Sequence, residues 1–381
     1  MATSPLFFRW FMEGHVRRLR GAGWDVRLVS GDGPELAPFA ARTGAPAHPI
    51  PLLEREIRPR ADLRAFLGLL ALLRRLRPDL VHASTPKAGL LGMVAAWLLR
   101  VPVRVYHCHG LRYETSRGLL RAILWGAERT ACALATRVLA VSGSLSDALV
   151  ARGLCAEEKL EVLHRGSVSG VDAAGRFLPA PPEARRAARR RLGLPEDARV
   201  LGFVGRVVRD KGVAVLFEAW RALREALPDL HWVLVGPAED GDPVPPEVLA
   251  AMRADPRVRL LGQDEETPPL LAAMDVVALT SFREGFGLVL AEAGAMGLPV
   301  VASRVTGIVD AVVDGEAGTL VPPGDAPALA AALRRYLEDP ALTARHGAAG
   351  RARVLRDFQP AALEAALLER YERWSGGPAA R

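Results

Sequence analysis

The sequence predicts an α/β protein built from two doubly wound, Rossmann-like domains. Three observations carry this. The chain of 381 residues is too long for one ordinary core and suits two domains of about 150 to 200 residues. Short apolar, β-branched runs alternate with helical patterns almost throughout, as expected of parallel sheets covered on both faces. Between the halves, residues 178–195 (LPAPPEARRAARRRLGLP) carry proline, alanine and arginine but no strand pattern.

The first domain is assigned to residues 1–178. A doubly wound domain normally opens on a hydrophobic strand, yet MATSPLFFRW reads as the loop that would follow one. Strands left without ladder partners lose buried hydrogen bonds, so the expectation is that the true start lies upstream. Strands are predicted at 25–30, 79–83, 103–108, 137–141 and 160–163, with amphipathic helices at 62–77 and 118–135. Residues 179–198 are read as a linker with a short basic helix. The second domain, 199–355, repeats the pattern with strands at 200–204, 231–235, 258–261, 275–280 and 299–302. Beyond 326 the chain looks entirely helical. Its last segment, 356–381, is expected to return to the first domain.

Half the residues are hydrophobic and 24% are charged, the composition of a globular protein rather than a disordered one. The chain has three lysines, Lys87, Lys159 and Lys211, so its basic charge is nearly all arginine. Residues 1–178 carry a net charge of +10 and the remainder −3. A basic first half points to an anionic partner: a membrane surface, a phosphate-bearing acceptor or nucleic acid. Compositional drift on a solvated surface is the plainer alternative. Nucleic acid is disfavoured, because no interleaved aromatic and basic platform is present.

Cys108, Cys132 and Cys155 show no paired spacing, which argues for a reducing compartment. No signal peptide is visible. The longest apolar stretches, 67–73 and 88–99, fall short of the ~20 residues a bilayer span needs. The expectation is a cytoplasmic protein, with peripheral contact at the inner face of the plasma membrane left open.

The densest chemical signal is SFREGFGLVLAEAGAMGLPVVAS, residues 281–303. A strand ends, a glycine-rich turn follows, and a helix is predicted to begin near Phe286. Free N–H groups at such a helix start favour anions, and Gly285 and Gly287 permit close approach of a phosphate. Glu284 and Glu292, eight residues apart, suit hydrogen bonding to sugar and ribose hydroxyls if both face one cleft. Two solvated glutamates on a surface helix are the bland alternative. The second signal is FVGRVVRDKGV, residues 203–213, where a strand ends at Gly205 and Arg206 and Lys211 follow. Two cations at a strand's carboxyl end can hold a diphosphate and stabilise it as a leaving group. A charged loop with a capping role remains the alternative.

Taken together these clusters resemble family 4 of the retaining glycosyltransferases, of GT-B fold, over nearly the whole chain. The family's glutamate, seven residues, glutamate pattern stands at Glu284 and Glu292, and its phosphate-binding arginine and lysine at Arg206 and Lys211. The resemblance implies that Glu292 binds the donor ribose and Glu284 the transferred sugar or its phosphate. Gly205 belongs to the same donor-binding set, and Gly285, Phe286 and Gly287 offer backbone donors. It also implies that His109, followed by Gly110, reaches the transferred sugar, and that Ser4 and Pro5 lie near the acceptor. The stretches GSVSGVD (166–172), GPAEDGDP (236–243), AMDVVALTSFREGF (273–286) and RVTGIVDAVVDGEAGTLVPPGD (304–325) look most like bacterial capsule, exopolysaccharide and lipid-linked oligosaccharide transferases. Relatives more often carry asparagine at Ser169.

The activity so implied is transfer of a hexose or N-acetylhexosamine, with retention, from a nucleoside diphosphate sugar. The donor is expected to be UDP-linked and the acceptor a polyprenyl-diphosphate-linked or other glycan. No cofactor or metal is expected. His107, Cys108 and His109 at a strand end supply too few ligands for a metal site. Asp240-Gly241-Asp242 has the form of a metal-binding motif but reads as a turn. No dinucleotide fingerprint is present. A nucleotide-sugar epimerase or a phosphorylase could share the architecture, since fold does not set function. A phosphorylase would need a cofactor lysine, for which Lys211 is the one candidate. A non-catalytic partner protein is the third reading, opposed by the intact Arg206, Lys211, Glu284 and Glu292.

Overall fold

The computed structural model describes residues 1–264 and 266–377. The chain divides into two units, Met1–Gly170 with Pro360–Arg381, and Val171–Gln359. The boundary thus falls before the expected linker. The helix Pro182–Arg191 belongs to the second unit because its arginines find partners there. Arg189 is buried, donating to the Ala273 carbonyl (3.1 Å) and to Asp275 (2.8 Å), and Arg185 donates to the Met274 carbonyl (3.0 Å).

In the first unit, β1 (Leu28–Ser30) pairs parallel with β2 (Ala47–Pro49). A second parallel sheet runs β3 (Leu80–Ser84), β4 (Val103–Cys108), β5 (Arg137–Ala140) and β6 (Leu160–Val162). The expected gap between the two sheets is filled by residues 1–3. Ala2 N–H donates to Val29 O (3.0 Å), Gly31 N–H to Thr3 O (3.3 Å), and Ser84 N–H to Met1 O (2.9 Å). This short extended segment therefore gives both neighbours a ladder partner, and the strand order becomes that of a Rossmann-like sheet. The segment β2, three residues long and half-exposed, has no hydrophobic run that sequence patterning could detect.

The second unit holds a six-stranded parallel sheet. Its strands are β7 (Arg199–Val204), β8 (Leu230–Val235), β9 (Val258–Leu260), β10 (Val276–Leu279), β11 (Val300–Ser303) and β12 (Gly318–Val321). In space they lie β12-β11-β10-β7-β8-β9, so the order reverses between β7 and β10. Both central strands are almost wholly buried, which explains their continuous apolar character. Strand β12 follows a Gly-rich turn, and the sequence reading passed over it.

After Ala326 the chain is helical: Ala326–Glu338, Pro340–Asp357 and Pro360–Ser375. The last of these packs Leu363, Leu367 and Tyr371 against Leu19, Val103, Val105, Leu139 and Leu163 of the first unit. Glu161 adds ion pairs to Arg370 (2.7 Å) and Arg373 (2.6 Å). Among the described residues no helix is long and apolar enough to cross a membrane.

Candidate active site

In an open parallel sheet, ligands sit outside the carboxyl ends of strands at the point where strand order reverses. In the second unit that point lies between β7 and β10, and the loops that leave these strands carry both clusters singled out from the sequence. Several bonds fasten the loops together. Phe282 N–H donates to Asp210 O (2.9 Å), and the Thr280 hydroxyl lies within hydrogen-bonding distance of the carbonyls of Lys211 (3.0 Å) and Gly212 (2.9 Å). Gly212 makes this approach possible. It has φ +66°, and a Cβ there would stand 2.0 Å from Thr280 O.

The side chains follow from this backbone arrangement. Lys211 Nζ donates to Glu284, whose carboxylate also accepts from Ser281 Oγ at 2.7 Å. Arg206 does not join them but donates to Glu239 at 2.6 Å. Arg283 donates to Asp210 Oδ2 through Nε (2.9 Å) and Nη2 (2.6 Å). Asp242 accepts from the Asp210 N–H at 2.7 Å and from Arg209 Nε at 3.0 Å. Sequence reasoning missed Glu239, Asp210, Arg283 and Asp242. It read Asp240-Gly241-Asp242 as a turn, whereas Asp242 also ties that turn to the cationic loop.

The helix after β10 is Leu288–Ala295, starting two residues later than expected, with Gly287 (φ +80°) as its N-cap. The side chain of Phe286 is buried edge-on against Phe358, ring centroids 5.0 Å apart, so only its backbone can serve a ligand. The Gly285 peptide is backed by Gly307, where a Cβ would lie 2.4 Å from the Gly285 carbonyl. Glu292 lies half-buried in the helix Leu288–Ala295. Desolvation lifts its carboxyl to about 7, opposed by the charge of Arg176. Glu284 and Glu292 thus have separate surroundings, one salt-bridged and one desolvated.

In the first unit the order reverses between residues 1–3 and β3. Ser4 caps the helix Pro5–Phe11, its Oγ accepting from Leu6 N–H (3.3 Å), and Pro5 fits the first turn because it needs no donor there. The Thr3 and Thr85 hydroxyls are 2.7 Å apart. Thr85 has φ +70°, a strained conformation for a β-branched residue, and such strain clusters at functional positions. No motif announced it. His109 follows β4, its ring 4.4 Å from His107 and 5.0 Å from Phe7 between centroids. Burial pushes its imidazole down to about 3, so the ring is neutral at ordinary pH. Among the described residues its buried Nε2 has no hydrogen-bond partner. Also among these residues, no group of three or more His, Cys, Asp or Glu is placed to hold a metal ion.

Solved structures with this architecture cover nearly the whole chain. HepE of Anabaena, in complex with UDP-glucose, matches with a TM-score of 0.78 and 25% identity over 95% of both chains. WaaG, a glycosyltransferase involved in lipopolysaccharide biosynthesis, shares the fold with a TM-score of 0.70 and 18% identity, covering 96% of this chain and 95% of its own. Two Rossmann-like units in one chain, the second with a cationic switch point, define a protein of GT-B class. The model of Glycosyltransferase Family 4 matches residues 11–167, and that of Glycosyl transferases group 1 matches residues 198–339. The capsular polysaccharide biosynthesis glycosyltransferase CapM of Staphylococcus aureus is 32% identical over 91% of this chain and 89% of its own length. The chain belongs to the family 4 glycosyltransferases. An Escherichia coli UDP-Gal:alpha-D-GlcNAc-diphosphoundecaprenol alpha-1,3-galactosyltransferase is 29% identical, covering 77% of this chain and 75% of its own.

Proposed function

We propose that this glycosyltransferase moves a hexose or N-acetylhexosamine from a UDP-sugar to a polyprenyl-diphosphate-linked acceptor during surface polysaccharide synthesis. Anomeric configuration is retained and no metal is required. The observation that carries the donor side is the switch point between β7 and β10, where one loop carries Arg206 and Lys211 and the other Glu284 and the start of the helix Leu288–Ala295, with Lys211 and Glu284 paired. The names of the Staphylococcus and Escherichia relatives, and the UDP-glucose in Anabaena HepE, support the substrate classes.

In this reading the second unit binds the donor and the first the acceptor, near Ser4, Pro5 and Thr85. Arg206 and Lys211 hold the diphosphate and stabilise the charge that grows on it as it leaves. The sugar C1–oxygen bond to the diphosphate breaks and the bond to the acceptor hydroxyl forms on the same face. The acceptor's proton passes to a diphosphate oxygen, so no protein nucleophile is needed. Glu292 accepts hydrogen bonds from the ribose hydroxyls and Glu284 from the sugar. His109, neutral and with a buried Nε2 that has no hydrogen-bond partner among the described residues, serves a sugar hydroxyl.

The test is transfer with UDP-, GDP- and ADP-sugars in EDTA, using undecaprenyl diphosphate sugars as acceptors, with the product's anomeric configuration read by NMR. UDP-sugar turnover with an α-linked product from an α-linked donor is expected. Inversion, a dependence on divalent metal or the absence of any transfer would overturn the corresponding part of the reading.

Peripheral membrane contact is part of the proposal, supported by the outward faces of the helices Pro59–Leu76 and Gly118–Leu134. Leu63, Leu67, Leu119 and Ile123 are exposed there, beside the exposed Arg60, Arg64, Arg117 and Arg121. The acids on these helices are already engaged: Asp62 pairs with Lys87 at 2.6 Å, and buried Glu128 accepts from Tyr106 at 2.6 Å and Cys108 at 3.2 Å. A cationic rim around apolar side chains suits an anionic bilayer. Sedimentation with phosphatidylglycerol vesicles should show binding that weakens with salt, and with Leu119→Asp/Ile123→Asp. Equal binding to phosphatidylcholine vesicles would count against it.

A further inference from the structure

Both cations assigned to the diphosphate already have a carboxylate partner. Lys211 is held by Glu284, and Arg206 by Glu239. The two carboxylates differ in what else they do. Glu284 lies in the strand-to-helix loop and is the residue proposed to meet the sugar. Glu239 comes from the loop after β8, and the donor reading gives it no task.

The loop that carries Glu239 is fastened to the cationic loop on both sides of it. Before it, Val207 N–H donates to Pro237 O at 2.8 Å. After it, Arg209 N–H donates to Asp242 O at 2.9 Å and Asp210 N–H to the Asp242 carboxylate at 2.7 Å. The approach is backbone on backbone: Gly236 has φ +138°, and a Cβ there would stand 2.0 Å from Gly205 O. Glu239 is therefore set against Arg206 by the fold, not left there by a wandering surface chain. Its pair with Arg206 is about two-thirds shielded from water on both sides.

We infer that Glu239 is the resident counter-ion of Arg206, which the donor's diphosphate displaces on binding and which recaptures the guanidinium when the nucleoside diphosphate product leaves. The inference rests on the donor reading above. A guanidinium cannot give its best fork to a carboxylate and a phosphate at once. A diphosphate that takes the Arg206 fork competes with Glu239 for it, so Glu239 lowers donor affinity and eases product release. A partly exposed ion pair of this kind resists opening weakly, which puts the expected effect at about two- to fivefold.

The experiment is calorimetric titration of the full chain with UDP, GDP and ADP and with the parent nucleosides, comparing wild type, Glu239→Gln and Glu239→Ala. Both variants should bind the diphosphate that wild type prefers about two- to fivefold more tightly, with nucleoside affinity unchanged. In steady state, donor KM should fall without a rise in kcat. Unchanged or weaker diphosphate binding in both variants, or tightening that the nucleoside shares, would overturn the counter-ion role alone. Failure of wild type to bind any diphosphate would instead overturn the donor reading, and this inference with it. Agreement between the Gln and Ala variants separates loss of the carboxylate from a new amide contact, and matching thermal melts report intact folding.

Discussion

Lys211→Ala is expected to lower kcat/KM by about 10²- to 10³-fold while the protein stays folded, the loss typical when one charge-stabilising group is removed from a preorganised site. Lys211 sits in a loop whose backbone is held independently of its side chain, because the Thr280 hydroxyl engages the Lys211 carbonyl. The fold should therefore tolerate the change. The site should not. On the proposed reading, removing the ammonium takes away one of the two cations assigned to the leaving diphosphate and leaves the Glu284 carboxylate with the Ser281 hydroxyl as its donor. An uncompensated carboxylate would then repel the donor as well. Lys211→Arg should recover only part of the activity, since a planar fork replaces a compact point charge. Transfer of labelled sugar, with circular dichroism melts as the folding control, measures this. A loss smaller than about tenfold would remove Lys211 from the machinery.

The second large effect concerns Glu292 and pH. Burial raises its carboxyl to about 7 from an ordinary value of 4.5. The folded state therefore holds this proton more tightly than the unfolded chain does. The stabilising contribution is fully present below about pH 4.5 and is lost as pH rises through about 7. Glu292→Gln carries no charge to desolvate. Its melting temperature should match wild type near pH 4.5 and exceed it at pH 8, by an amount that reflects at most roughly 3 kcal/mol. Donor binding should move the other way. Ribose hydroxyls donate best to the ionised carboxylate, so wild-type donor KM should fall as pH rises through 7. In Glu292→Gln, KM should be flat with pH and raised about 10- to 100-fold, the range for losing hydrogen bonds to a charged acceptor. Melting curves and KM profiles from pH 5 to 9 test both arms. Parallel profiles in the two proteins would mean that Glu292 neither titrates there nor meets the donor.

Much of this protein could be read in its sequence because the relevant signals are local. The apolar runs of β7 and β10 are continuous since both strands are buried on both faces. Arg206 and Lys211, and Glu284 and Gly287, lie within a few residues of the strand ends that position them, so spacing alone placed them on switch-point loops. The helix Leu288–Ala295 was legible for the same reason.

What spacing could not supply were partners brought from afar. Glu239 stands 33 positions from Arg206 in the chain, and Asp210 and Arg283 are 73 apart. Nothing in either local pattern names the other. The same holds for residues 1–3, too short to show periodicity, whose role as a strand depends on hydrogen bonds to Val29, Gly31 and Ser84. It holds for the basic helix Pro182–Arg191, which reads as part of a linker until Asp275 and the Ala273 carbonyl receive Arg189 and tie it to the second unit. The sequence by itself determined the α/β class, the central strands and the cationic and acidic loops, because hydrophobic period and turn chemistry act between near neighbours. The tertiary structure alone decided which carboxylate neutralises which cation, where one unit ends and how the first sheet closes, because ion pairs and parallel ladders join residues that the chain keeps far apart.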